Sequence, residues 1–172
     1  MTKQIQDIQV SNYFKTLGSM LDTTEATAID NSKLGLTQAM NLMLQYAVEA
    51  HDSGCKVIVV GNGGSAGIAS HMATDYTKNG NIRTMCFSDA SLLTCLSNDL
   101  GYDQVFAKPI EMFAKPGDLL VAISSSGKSE NILNAVDKAN EIGCKAVTFS
   151  GFETGNPLRG KGDVNFYVPS QE

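Results

Sequence analysis

A chain of 172 residues with 42% hydrophobic content is long enough to bury the core of one ordinary globular domain. Its net charge of −5 and the absence of a long basic stretch exclude a surface that tracks a nucleic-acid backbone. No apolar run approaches the roughly 20 residues that span a bilayer, and MTKQIQDIQ lacks the basic-then-apolar order of a signal peptide, so a cytoplasmic protein with no membrane partner is expected.

Residues 1–54 predict two helices. Residues 9–23 set Val10, Phe14, Leu17 and Leu21 on one helical stripe. Residues 31–53 do the same with Leu34, Leu36, Met40, Met43, Ala47 and Val48, and Gly54 is the stop. From residue 55 the pattern changes to short apolar runs alternating with helical periods. The runs at 55–60, 83–87, 118–123, 145–149 and 164–168 predict five strands buried on both faces. Helices are predicted between them at 65–78, 90–97, 103–114 and 129–142, with Pro109 kinking or beginning the third. The alternation predicts a single α/β domain: residues 55–172 form a doubly wound parallel core of five strands, with helices on both faces. The four cysteines, Cys55, Cys86, Cys95 and Cys144, have no metal-finger spacing and read mainly as small hydrophobes.

Ligands of such sheets bind beyond the carboxyl ends of the strands, where the strand order reverses. In a 2-1-3-4-5 order that point lies between the loops GNGGSAG (61–67) and SSSGKS (124–129). Glycines at 61, 63 and 64 let backbone approach a ligand. Ser124, Ser125, Ser126 and Ser129 offer hydroxyls beside a helix N-terminus, a site suited to a phosphate monoester, to which Lys128 could add charge. The GKS within the second loop is not a nucleotide P-loop, because Ala122 occupies the place of the required first glycine. A dinucleotide site is the rival: Gly61, Gly63 and Ala66 fit its fingerprint, and Asp89 stands where a ribose-binding acid would. The serine loop has no role in that fingerprint, and the chain has no room for a second nucleotide half. On the helix after the first loop, His71 and Asp75 are four apart and share a face, so they could move protons, hold a metal with a third ligand, or form a plain surface pair. Asn98 and Asp99, in LSNDLGY, form a second polar pair or merely a turn.

GNGGSA, SHMATD, SNDLGYDQVFAKPIE and AISSSGKSENI, in that order, resemble the SIS (sugar isomerase) domain family over nearly the whole chain, and within it the phosphoheptose isomerases. The resemblance implies a three-layer α/β/α sandwich with a flavodoxin-like five-stranded parallel sheet, assembled as a homotetramer with active sites between subunits. It implies conversion of sedoheptulose 7-phosphate to D-glycero-D-manno-heptose 7-phosphate for surface-glycan heptose, with no nucleotide cofactor. Asn62, Gly63, Gly64 and Ser65 would then contact the sugar phosphate, Ser124, Ser125, Ser126 and Ser129 would hold the phosphate, and Asn98 and Asp99 would line the sugar. Asp75 stands where the family has a catalytic glutamate. His71 stands where some members bind zinc, so His71 and Asp75 are the candidate metal ligands. Members also carry a C-terminal helix with a second proton-transfer histidine, which is not seen up to VPSQE. Some relatives keep the phosphate loops and act as non-catalytic adaptors, including one that assists a replication initiator. Isomerisation of another sugar phosphate is a further reading.

Overall fold

The computed structural model describes residues 10–170. Residue 9 of the first expected helix, and Gln171 in VPSQE, lie outside them. The elements run α1 (Val10–Thr23), β1 (Glu25–Ala28), β2 (Lys33–Leu34), α2 (Leu36–Asp52), β3 (Val57–Gly61), α3 (Gly64–Lys78) and β4 (Thr84–Cys86). They continue with α4 (Ala90–Leu100), α5 (Ala107–Phe113), β5 (Leu119–Ser124), α6 (Glu130–Ile142), β6 (Lys145–Ser150) and β7 (Val164–Tyr167).

All seven strands join one sheet in the order β2-β1-β7-β6-β5-β3-β4. Neighbours from β4 to β7 are parallel. Numbered among themselves these five strands have the expected 2-1-3-4-5 order, so the three-layer sandwich and its switch point between β3 and β5 stand. Every residue of β3 is buried, as a strand covered on both faces requires. Val57, Val59, Leu119, Val121 and Phe166 pack with Ala39, Met43, Ala47 and Ala50 of α2 and Ala69 of α3. Ile58, Val60, Leu120 and Ala122 pack with Phe106 and Ile110 beside and within α5, and with Ile132, Ala135 and Val136 of α6.

Three details of the sequence expectation are corrected. The sheet is not five-stranded: β1 pairs antiparallel with β7 and with β2, adding a hairpin at the outer edge. Nor is residues 1–54 a purely helical segment, since α2 begins only at Leu36 and residues 31–34 belong to the hairpin. The strands are too short, at four and two residues, to show a period of two. The turn was the readable signal: Asn31 is left-handed at φ 62°, and Asp30 Oδ1 accepts from Ser32 N at 2.9 Å. Similarly, the helix expected over 103–114 divides into a 3-10 turn at Tyr102–Gln104 and α5, with Pro109 in the first turn of α5.

At the end of the sheet away from the two loops, buried Asp118 fastens β3 to β5. Its carboxylate accepts from the backbone N–H of Lys56 and Lys115 and pairs with Lys56 Nζ at 2.6 Å. Removing it would leave two amides and a mostly buried cation unpartnered. Asp118→Ala is therefore expected to lower the unfolding free energy by about 3–5 kcal/mol, read from urea melts. Cysteine chemistry also follows from burial. The Cys144 thiol is pushed up to about 11, chiefly by desolvation and further by the charge of Asp118. At pH 8 only about a thousandth of it is thiolate, so iodoacetamide is expected to label exposed Cys95 and leave Cys144 unmodified until the chain unfolds.

Candidate active site

The two loops leave neighbouring parallel strands, so both emerge at the same edge of the sheet. After β3 the chain turns at Gly63, whose φ of 54° and ψ of −120° suit glycine alone. Gly61 is needed for a different reason: a Cβ there would lie 2.6 Å from the Ser65 carbonyl oxygen. After β5 the turn is made by Gly127 at φ 62°, and α6 follows from Ser129. No side chain caps either α3 or α6, so their N-terminal amides face the crevice without an internal acceptor side chain. The buried Ser124 hydroxyl lies 3.3 Å from that of Ser129, and Ser126 Oγ accepts from Lys128 N at 3.2 Å. Ser125 is exposed, and Ser126 and Ser129 are half-buried. Oxygen donors and an uncapped helix start thus converge at one place, the arrangement that binds a phosphate dianion.

A reciprocal amide pair joins the loops. Asn62 Nδ2 donates to Asn131 Oδ1 at 2.8 Å, and Asn131 Nδ2 donates back to Asn62 Oδ1 at 2.9 Å. Tyr102 adds a third bond, its hydroxyl donating to Asn62 Oδ1 at 2.9 Å. These residues, with Asp103, Ser129 and Glu130, line an open cleft of about 430 Å³ at the switch point. Asn131 and Tyr102 escaped the sequence reading although both lie in stretches it singled out. A polar residue on the buried face of a helix was the available clue, because Asn131 is only 2% exposed in a stripe shared with Ile132 and Ala135.

Other expected residues stand elsewhere. His71 and Asp75 do meet, with Nε2 and Oδ2 3.4 Å apart, and Asn79 Nδ2 donates to Asp75 Oδ1 at 3.2 Å. Their side chains are 79% and 49% exposed, so this contact by itself adds little to stability. They line a shallow apolar groove of about 550 Å³ along α3, from Gly64 through Ile68 and Met72 to Tyr76. Burial holds the Tyr76 phenol above its ordinary value, leaving it a neutral donor near Asp75. Asp75 follows Gly64 by eleven helical residues, about 16 Å along the axis from the glycine loop. Asn98 donates to Asp99 at 2.8 Å on the exposed last turn of α4, outside the lining of the cleft. Lys128 is turned to Glu153, 2.7 Å away. Asp89, the rival reading's ribose acid, accepts from Leu92 N as the N-cap of α4. Among the described residues no three His, Cys, Asp or Glu side chains converge. His71 and Asp75 supply two donors, short of the three or four protein ligands that zinc takes.

Comparison with known proteins accords with this geometry. The SIS domain family model matches residues 12–151. The chain belongs to the SIS domain family. It is 39% identical over 134 residues to a phosphoheptose isomerase from Aliarcobacter butzleri, covering 74% of this chain and 70% of that protein. A phosphoheptose isomerase from Helicobacter pylori is 32% identical over 151 residues, with 84% and 78% covered. The solved phosphoheptose isomerase of Neisseria gonorrhoeae superposes with a TM-score of 0.80 at 28% identity, covering 94% of this chain and 86% of that one. That of Francisella tularensis gives the same TM-score at 27% identity, with 95% and 85% covered. Within the family the chain therefore stands among the phosphoheptose isomerases.

The amide pair is open to direct test. Asn131→Leu fills the same space but strands Asn62 Nδ2, while Oδ1 keeps Tyr102, and is expected to cost about 1–3 kcal/mol of stability. In ¹H–¹⁵N spectra the Asn62 side-chain amide signals should move to the positions of a free amide. Unchanged signals would mean that the pair does not hold the loops.

Proposed function

We propose that the chain is an aldose–ketose isomerase that converts sedoheptulose 7-phosphate to D-glycero-D-manno-heptose 7-phosphate, in the cytoplasm, for surface-glycan heptose. The observation that carries this reading is the junction of the glycine and serine loops at the switch point, in a chain of this family. Neutral hydroxyls and a helix start suit a phosphate monoester better than they suit a nucleotide triphosphate with its metal. Ser124, Ser125, Ser126 and Ser129 would grip the phosphate, while Asn62, Gly63, Gly64 and Ser65 close over it and Asn98 and Asp99 follow the sugar chain. Binding at that remote group then positions the reacting carbons.

In the chemical step the Asp75 carboxylate would remove a proton from C1 of the ketose as O2 gains one, leaving a C1–C2 enediol. The Asp75 carboxyl, its proton exchanged with solvent, would then deliver a proton to C2 as O1 loses one, and C1 becomes the aldehyde carbon. The exchange between O1 and O2 requires a second acid–base group. No electrons leave or enter the sugar.

The distance between Asp75 and the cradle along α3 supports a site shared between copies. So does α1, which has no buried residue and presents Val10, Phe14, Leu17 and Leu21 as an exposed apolar stripe. Exposed Met40, Leu44 and Val48 form a further apolar stripe on α2. Burying each such side chain is worth about 2 kcal/mol, and a homotetramer would bury many at once. Zinc enters this proposal only as a site completed from outside these residues, with His71 and Asp75 as two of its ligands.

Turnover of sedoheptulose 7-phosphate, followed by NMR, tests the reading. Asp75→Asn is expected to lower kcat by about 10²–10⁴-fold while sugar-phosphate binding stays within a few-fold. Binding without any turnover by the unaltered protein would instead favour a sugar-phosphate-sensing adaptor.

A further inference from the structure

We propose that Asn156, on the loop after β6 and outside every motif of the family resemblance, is a positioning residue for the serine loop and so for phosphate recognition. This rests on the phosphate role of that loop. Asn156 is 3% exposed. Its Nδ2 donates to Ser150 Oγ and to the carbonyls of Gly151 and Glu153, at 3.2, 3.2 and 2.9 Å. Its Oδ1 accepts from Arg159 N at 3.1 Å. Both hydrogen-bonding atoms of the amide are thus committed, and the side chain is fixed in one orientation.

What the fixed amide presses against is Gly127. A Cβ at that position would lie 2.0 Å from Asn156 Oδ1 and 2.8 Å from Asn156 Cβ. Gly127 therefore answers two demands, a left-handed φ and the space taken by Asn156. Backbone bonds reinforce the contact on either side. Gly151 N donates to Ser125 O at 2.9 Å, and Leu158 N donates to Gly127 O at 3.2 Å. The Lys128–Glu153 ion pair closes the outer side. Four residues of the 151–158 segment, Gly151, Glu153, Asn156 and Leu158, thus hold a loop whose own internal bonds are few, including Gly127 N to Ser124 O at 3.0 Å. The phosphate cradle has a back wall, and Asn156 is its fixed point.

A plain capping role would need only Oδ1, which N-caps the 3-10 turn Pro157–Gly160. Asn156→Ser keeps a neutral capping oxygen and loses the Nδ2 bonds, which separates the two roles. The positioning role predicts that KM for sedoheptulose 7-phosphate and the inhibition constant of inorganic phosphate both rise about tenfold, the worth of one such bond, with kcat within about twofold. Unchanged constants in a protein whose unaltered form turns over the sugar phosphate would overturn the inference and leave the functional reading intact. If the unaltered protein neither binds nor converts sugar phosphate, the functional reading fails first and this inference with it. A second cycle, read by thermal melting, covers variants that fold poorly. Gly127→Ala and Asn156→Gly should together destabilise by less than the sum of their separate effects, because removing Asn156 vacates the space the new methyl needs. Strict additivity would contradict the contact.

Discussion

The Asn62–Asn131 amide pair is the interaction on which the site depends. Parallel pairing of β3 with β5 carries two loops to one sheet edge, but pairing stops at Gly61 and Ile123. Beyond that, nothing in the sheet fixes the distance between the glycine loop and the start of α6. The two reciprocal bonds do so, and Tyr102 adds a brace from the segment after α4. Loops rich in glycine and serine have the most conformational freedom to lose, so a site made of them needs such external ties. Asn62 supplies the tie from the strand side and Asn131 from the helix side. Asp118, at the far end of the same two strands, keeps their register where no ligand acts.

The position of Asp75 gives the chemistry its shape. A helix holds its residues at fixed rise, so Asp75 stands about 16 Å along α3 from the glycine loop. The groove along α3 is apolar, and α1 and α2 expose further hydrophobic side chains. A carboxylate on such a face acts on a sugar only where another surface closes over it. On the proposed reading, phosphate recognition and proton transfer would fall to different parts of the fold, which would let one be altered without the other. The aspartate is also one methylene shorter than the family's glutamate, so its productive position depends on how closely that second surface approaches.

Much of this was legible in the sequence because strands buried on both faces appear as unbroken apolar runs. VIVV and LLVAI could be placed in the sheet from composition alone, and the switch point followed from their order. Only the turn of the hairpin Glu25–Leu34 was legible, because six strand residues cannot establish a period and Leu34 fitted the stripe of the following helix. The serine loop announced its donors but not its supports. Asn131 lies two residues beyond Ser129, and only the folded stripe of α6 reveals that its amide turns inward. Asn156 is further removed, since NPL reads as an ordinary turn and its contact with Gly127 joins residues 29 apart. The likeness of His71 and Asp75 to a surface pair was accurate for the isolated chain; what a neighbouring surface adds is not written in their spacing.

The most direct measurement is sedoheptulose 7-phosphate incubated with the protein in D₂O, with C1 and C2 read by NMR. An enediol formed by a carboxylate base predicts an aldose carrying deuterium at C2, and deuterium at C1 of the recovered ketose. Aldose formed with protium at C2 and no exchange into either sugar would contradict proton transfer through a solvent-accessible carboxylate. Absence of both aldose and exchange, with the phosphate bound, would contradict the isomerase account altogether.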